Sequence, residues 1–206
     1  DLLETDGITP IDPARFLALF PPPHEVRIRE NTAWSCEHGL GRWEKDCGCR
    51  SAHLPGWSQE WRTGLRDALN KLAHRLDAFY EDDASRFFDD PWKVRDDAVA
   101  LWLTPGEEHA SDFLSARAKR TLQPEEKRRA LELLLMQRER LAMFTSCGWF
   151  FDDISGVEAV LCLTRAARAL DLAKLLGEDP EGAFVERLGA CLSNLPRFEN
   201  GAKVWK

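Results

Sequence analysis

Three cysteines and a histidine that could together hold a metal ion are gathered in one short stretch of the chain. Cys36, His38, Cys47 and Cys49 fall within fourteen residues, in the sequence WSCEHGLGRWEKDCGC. If each pair is extended, Cys36 and His38 share one face, and Cys47 and Cys49 have the same relation across Gly48, because alternate side chains of extended backbone point the same way. Two such pairs brought together would present three thiolates and an imidazole, which is a legitimate tetrahedral zinc set.

Two other interpretations of these residues stay open. Cys36 and Cys47 could form a disulfide, although six cysteines in 206 residues are too few for a disulfide scaffold and favour a reducing compartment. A glycine-rich loop with packed thiols and a hydrogen-bonded histidine would explain the same residues without a metal. The C-x-x-C spacing of most structural zinc sites does not occur here, so the sequence ranks these alternatives without deciding among them.

The overall charge and the apolar runs exclude several classes of partner. A net charge of −7 and an isoelectric point near 5.3 argue against a nucleic-acid binder, which needs a basic face for phosphate contacts. The longest apolar runs, LELLLM and AVLCL, are far shorter than a membrane span, and the first twenty residues lack the basic start and apolar core of a signal peptide. We therefore expect a cytoplasmic protein without nucleic-acid or membrane partners.

A second group of polar residues follows three aromatic residues in the sequence FTSCGWFFDDISG. Ser155 and Glu158 are spaced as a capping box for the next helix, which leaves Asp152 and Asp153 to form the floor or rim of a pocket. Arg138 falls in the middle of the apolar stripe of the preceding helix, and a buried arginine needs a partner, for which Asp152 or Asp153 is the obvious candidate. The alternative is that the Arg138 side chain extends to the edge of the helix.

Tryptophans are concentrated around the cysteine-rich stretch. The chain has eight in all, and four lie within 28 residues: Trp34, Trp43, Trp57 and Trp61. Tryptophans beside polar groups are typical of sugar sites, because flat sugar faces stack on indole rings; the sequence HLPGWSQEWR also brings His53 and Arg62 to this region. Trp61 begins a helical apolar stripe, so we expect it to pack in the core.

Helical patterns account for most of the remaining chain. Aspartate followed by proline marks three expected helix starts, at Asp12, Asp90 and Asp179, and apolar stripes at helical spacing follow from Trp61, Pro124 and Val157. Alternating Val26 and Ile28 predict a short strand before the cysteines. The fold class is therefore mainly α, a bundle-like helical domain with a short extended or loop segment before it.

This pattern predicts three segments along the chain. Residues 1–23 form a lead-in with a short helix, residues 24–56 a strand and a loop rich in Cys, His and Trp, and residues 57–206 the helical domain. We expect residues 24–206 to form one compact unit.

Four stretches in the same order resemble a known family. They are ENTAWSCEHGLGRWEKDCGC, PGWSQEWRTGLRDAL, DPWKVRDDAV and FTSCGWFFDDISGVEAV. Together they are similar to the helical C-terminal region, called domain of unknown function 3536, of bacterial proteins whose N-terminal half resembles glycoside hydrolase family 57. The resemblance runs from about His24 to about Leu172.

The resemblance implies carbohydrate chemistry, on α-glucans or related glycans, by a retaining mechanism with two carboxylates. It assigns the catalytic carboxylates to an upstream barrel, so none is expected in this chain, which would be part of a glycoside hydrolase and inactive alone. Its partners would be an oligosaccharide or α-glucan and that barrel, in cis or in trans. Together with the residue patterns, it gives these candidates for substrate binding: Trp34, His38, Arg42, Trp43, Trp57, Arg138, Trp149, Asp152 and Asp153.

Two alternatives belong to other classes of protein. In one, Cys36, His38, Cys47 and Cys49 bind zinc and organise a loop for protein interaction, with no carbohydrate role. In the other, the domain is purely structural and its tryptophans are core residues.

Overall fold

The chain divides into two compact units, Asp1–Thr32 and Ala33–Lys206. The computed structural model describes residues 9–52 and 54–205. His53, which the sequence places beside the cysteine-rich loop, lies outside the described residues.

In the described part of the first unit, residues 9–32, there is one short helix, α1 (Pro13–Leu19). The Asp12 side chain accepts a hydrogen bond from the backbone N–H of Arg15 at 2.9 Å, which confirms the predicted helix start. The predicted strand after it is wrong. Val26 and Ile28 are 89% and 80% exposed, and no described residue pairs with this segment through the backbone, as a strand requires.

The second unit is built from helices, which confirms the mainly α fold class; where the chain is described, it forms isolated β-bridges but no sheet. The helices are α2 (Trp61–Ala84), α3 (Pro91–Asp97), α4 (Val99–Leu103), α5 (Glu107–Arg117), α6 (Pro124–Ala142), α7 (Val157–Leu176), α8 (Glu181–Leu188) and α9 (Gly201–Trp205). Two 3-10 turns, Gly41–Trp43 and Ser146–Trp149, lie in the loops before α2 and α7.

The core lies among α2, α6, α7 and α8. The long helix α2 packs against α6 and α8, while α7 packs against α6 and the 3-10 turn at Ser146–Trp149. The apolar stripe of α2 is buried from Trp61 to Tyr80, because its members recur at the spacing that keeps them on one face. This packing places the loop before α2 and the loop before α7 at the same end of the bundle.

Of the four predicted helix starts, those at Asp12 and Asp90 follow local side-chain chemistry and two do not. The start predicted at Asp179 is wrong, since Pro180 is the residue that precedes α8. Asp90 caps α3 by accepting from the backbone N–H of Lys93 at 3.0 Å. The capping box predicted for α7 is wrong, since Gly156 is the residue that precedes the helix and no side chain caps it. The Ser155 hydroxyl instead donates to Asp153 Oδ1 at 2.6 Å. No described helix combines the length and the apolar character needed to cross a lipid bilayer.

Candidate metal centre

The four metal-ligand candidates converge in the structure. One ligand atom from each of Cys36, His38, Cys47 and Cys49 lies within 4.8 Å of the others. The Cys36 sulfur lies 3.8 Å from the Cys47 sulfur and 3.9 Å from the Cys49 sulfur. The imidazole Nδ1 of His38 lies 3.6 Å from the Cys49 sulfur and 4.0 Å from the Cys36 sulfur.

These separations match those of a tetrahedral zinc site. Zn–S bonds of about 2.3 Å and Zn–N bonds of about 2.0–2.1 Å, at tetrahedral angles, place two sulfurs about 3.8 Å apart and a sulfur and a nitrogen about 3.5 Å apart. The disulfide interpretation is wrong, since all six cysteines are free and the Cys36 and Cys47 sulfurs are 3.8 Å apart, well beyond the S–S bond length of about 2.05 Å.

Glycines shape the loop that brings the four ligands together. Gly48, between Cys47 and Cys49, has a φ of +82°, a conformation that a side chain would strain. At Gly41, a Cβ atom would lie 3.2 Å from the Cβ atoms of both His38 and Cys47. A side chain at Gly41 would therefore require the His38 and Cys47 side chains to shift by a few tenths of an ångström.

The environment of Cys36 favours a thiolate. Burial opposes its ionisation, but hydrogen bonds from the backbone N–H groups of His38 and Arg42 outweigh that cost, and the Cys36 pKa falls to about 7. Burial raises the pKa of the Cys47 thiol. A cysteine must be deprotonated to bind a metal, so Cys36 is better prepared than Cys47 to do so in the free protein.

The loop is attached to the helical bundle through the 3-10 turn at Gly41–Trp43 itself. Arg42 is buried; its Nη1 donates to the Phe150 carbonyl at 3.0 Å and its guanidinium carbon lies 4.5 Å from the centre of the Phe150 ring. The Trp43 indole donates to the Ser146 carbonyl at 2.8 Å, and the Trp43 carbonyl accepts from Arg66 Nε at 2.6 Å. Both predicted binding residues therefore join the loop to the segment before α7.

Asp152 and Asp153, in the segment before α7, attach further loop residues to the bundle. Asp152 accepts from the consecutive backbone N–H groups of Ser51 and Ala52, at 3.0 and 2.5 Å. Asp153 accepts from the backbone N–H groups of Ser155 and Asn194. Both carboxylates are buried and hold loops in place with charge-assisted hydrogen bonds. These contacts explain both residues without a bound sugar, so their role in sugar binding stays a prediction.

Arg138 does not pair with either aspartate. Its side chain is exposed, and its guanidinium carbon lies 5.0 Å from the centre of the Trp102 ring. The predicted ion pair is wrong because the buried aspartates are occupied by backbone N–H groups from other loops. The alternative, that Arg138 extends to the edge of its helix, is confirmed.

Two residues position the loop: Arg62, which the sequence placed in this region without a role, and Asp46, which the sequence did not single out. Arg62, in the first turn of α2, is fully buried and donates from Nη1 to the Cys49 carbonyl at 2.9 Å and from Nη2 to the Phe151 carbonyl at 3.3 Å. Asp46 accepts from the backbone N–H groups of Gly48 and Gln59, both at 2.9 Å. Although burial opposes ionisation of Asp46, these hydrogen bonds lower its pKa. The Asp-x-Gly spacing was the available signal for this turn.

A comparison with protein families assigns most of this chain to one family. The sequence model of the family described as Domain of unknown function (DUF3536) matches residues 57–206. The chain belongs to this family. No curated protein and no solved structure matches the sequence. The match begins after the candidate metal ligands and continues past Leu172. The DUF3536 domain therefore includes Asp152 and Asp153, which hold the loops, as well as α8 and α9.

The tryptophans predicted to bind substrate differ in exposure. Trp149, in the DUF3536 region, is fully buried, and its indole donates to the Arg62 carbonyl at 3.2 Å. Trp43 and Trp57 are half-buried, whereas Trp34 is 94% exposed. The Trp34 ring centre lies 6.4 Å from that of Phe150, and Phe150 meets Phe151 at 5.4 Å. We call these three residues, Trp34, Phe150 and Phe151, the aromatic row.

Proposed function

We propose that Cys36, His38, Cys47 and Cys49 bind one structural zinc ion, and that this DUF3536 protein is a zinc-stabilised helical domain. The convergence of four ligand atoms within 4.8 Å of one another carries the proposal. Three thiolates and an imidazole suit zinc and fill a tetrahedral shell, which leaves no open position for catalysis by the metal. His38, as a ligand, would be unavailable to a sugar.

The loop has little apolar packing to hold its shape and depends on its hydrogen bonds to the bundle. Between Ala33 and Ala52 its regular structure is the single 3-10 turn at Gly41–Trp43, and its buried residues are Cys36, Gly41 and Arg42. A segment that buries so little apolar surface gains little from the hydrophobic effect, and zinc coordination is a usual substitute. The zinc would thereby keep Arg42 and Trp43 positioned over the segment before α7.

Elemental analysis of the purified protein tests the proposal. We expect about one zinc ion per chain, since a closed site of this type binds one. Cys36→Ser and Cys49→Ser should lose the metal, whereas Cys147→Ser, which removes an exposed thiol outside the cluster, should keep it. A protein that folds without metal and gains no stability from added zinc would contradict the proposal.

We propose as a second function that the aromatic row contacts a glycan. A tryptophan with 94% of its surface exposed, beside two further aromatic rings, is an unusual feature that suits stacking against sugar faces. The resemblance to proteins related to glycoside hydrolase family 57 supports this role. The ligand would be an oligosaccharide or α-glucan, with catalysis by a barrel upstream, in cis or in trans.

Sugar titration tests the second function. Maltoheptaose should change the tryptophan fluorescence of the protein saturably, and Trp34→Ala should abolish the change. Trp102→Ala, a half-buried tryptophan that packs under Arg138, is the control and should retain it. Fluorescence that is the same with and without the sugar would sink the glycan role and leave the zinc site untouched.

A further inference from the structure

A basic segment stands out on this acidic protein. Residues 117–129, which join α5 to α6, contain six cations and two acids, although the whole chain carries a net charge of −7. Three of the cations form ion pairs: Arg117 with Asp97, Arg120 with Glu126, and Arg129 with Asp83. The remaining cations, Lys119, Lys127 and Arg128, form no ion pair with any residue in the described part of the chain.

A cavity of about 310 Å³ opens beside this segment. Its floor is apolar and is formed by Leu114, Ala118 and Leu122, and two hydroxyl groups, those of Ser115 and Thr121, line its wall. No carboxylate of the described residues lines it, although acids are more numerous than bases in the chain. A volume of this order is enough for a small ligand or a substituent of a larger one.

Two lysines give the cavity an uncompensated positive charge. Lys119 Nζ donates to the Ser85 carbonyl at 2.6 Å, and Lys127 Nζ donates to the Ser111 hydroxyl at 2.8 Å. Both partners are neutral, so they fix the positions of the two ammonium groups without cancelling their charge. Arg120 also lines the cavity, but Glu126 neutralises it through two hydrogen bonds, at 2.8 and 2.6 Å.

A larger, more apolar cleft adjoins the cavity. It has a volume of about 600 Å³ and shares Leu114, Leu122 and Lys127 with the smaller cavity, so the two flank Lys127. Its other lining includes the apolar Leu131 and Pro124 together with the oppositely charged Glu107 and Arg128. An occupant of both spaces would have an anionic head near the lysines and an apolar body on the other side of Lys127.

We propose that this cavity and the adjoining cleft bind a phosphate monoester with an apolar body. A monoester carries close to two negative charges at neutral pH, which matches the two ammonium groups left without counter-charge. Its oxygens accept hydrogen bonds from lysines as well as from the hydroxyl of Thr121, whereas the Ser115 hydroxyl already donates to the Ser111 carbonyl at 2.7 Å. This site lies on α5, α6 and their connection, and it is independent of the zinc proposal.

Isothermal titration calorimetry with phenyl phosphate tests the site. Phenyl phosphate should bind saturably, and Lys127→Met and Lys119→Met should each weaken binding at least about tenfold, the usual size of a lost charge-assisted hydrogen bond. Lys71→Met is the matched control, since Lys71 is an exposed lysine on α2, and it should leave the affinity unchanged. Circular dichroism melts of the variants verify folding.

Two comparisons make the outcome decisive. Inorganic phosphate should bind more weakly than phenyl phosphate, because it cannot use the apolar cleft; equal affinity would overturn the assignment of an apolar body. The absence of saturable phenyl phosphate binding, or an equal loss of affinity in Lys71→Met and Lys127→Met, would overturn the site.

Discussion

Arg62 donates a hydrogen bond to the backbone carbonyl of Cys49 at 2.9 Å and so joins the first turn of α2 to one of the four candidate zinc ligands. The same guanidinium donates to the Phe151 carbonyl, next to Asp152. A single buried side chain thereby connects the cysteine loop, the core helix and the segment before α7. If the cluster binds zinc as proposed, removal of the metal should affect the stability of the bundle through this contact.

Replacing Arg62 by methionine should lower the free energy of unfolding by about 2–4 kcal/mol, because the carbonyls of Cys49 and Phe151 would lose buried hydrogen bonds to a charged donor. Urea unfolding followed by circular dichroism measures the change. Arg138→Met is the matched control: Arg138 is exposed, so its loss should change stability by less than about 0.5 kcal/mol. Equal effects of the two substitutions would contradict the role assigned to Arg62.

Asp152→Asn should destabilise the protein by about 1–2 kcal/mol, because the amide retains one acceptor oxygen for the two backbone N–H groups of Ser51 and Ala52 and removes the charge. Thermal melts should report a lower Tm than that of the control Asp89→Asn, in which the aspartate is exposed. A melting temperature like that of the control would show that the carboxylate does not anchor the loop.

Removing the metal with a chelator should open the cysteine loop locally before the bundle unfolds. Amide hydrogen exchange over residues 34–52 should accelerate at least about tenfold, because the loop keeps few buried contacts without its metal, while amides of α7 stay protected. Mass spectrometry of exchanged peptides resolves the two regions. Uniform acceleration along the chain would mean that zinc stabilises the fold globally, and no acceleration in the loop would argue against a bound metal.

Gly41→Ala should weaken zinc binding, because its Cβ would lie 3.2 Å from the Cβ atoms of His38 and Cys47 and push the ligand pairs apart. Competition with a colorimetric zinc chelator measures the affinity. Gly182→Ala provides the opposite case. Gly182 lies in α8 with open space around its position, so alanine there should raise stability by up to about 1 kcal/mol and leave zinc binding alone.

Several features followed from the sequence because their causes are local. The apolar stripe of α2 recurs at helical spacing, and the caps Asp12 and Asp90 bind backbone groups three residues away. The candidate zinc ligands were identified by residue type, and the loop that joins them is short enough for four side chains to meet.

Other features depended on which loops the packing brings together. Asp152 meets Ser51 and Ala52 from about a hundred positions away along the chain, and no local spacing indicates that these backbone groups would occupy the carboxylate that Arg138 was expected to need. The strand around Val26 failed for a related reason, since a strand forms only where a partner supplies hydrogen bonds. The sequence by itself determined the long helices α2, α6 and α7 and the identity of the metal-ligand candidates, because those depend on residues close together in the chain. Only the tertiary structure decided which polar groups are satisfied and which rings stay exposed, because hydrogen bonds and burial are completed by residues that are distant in the chain.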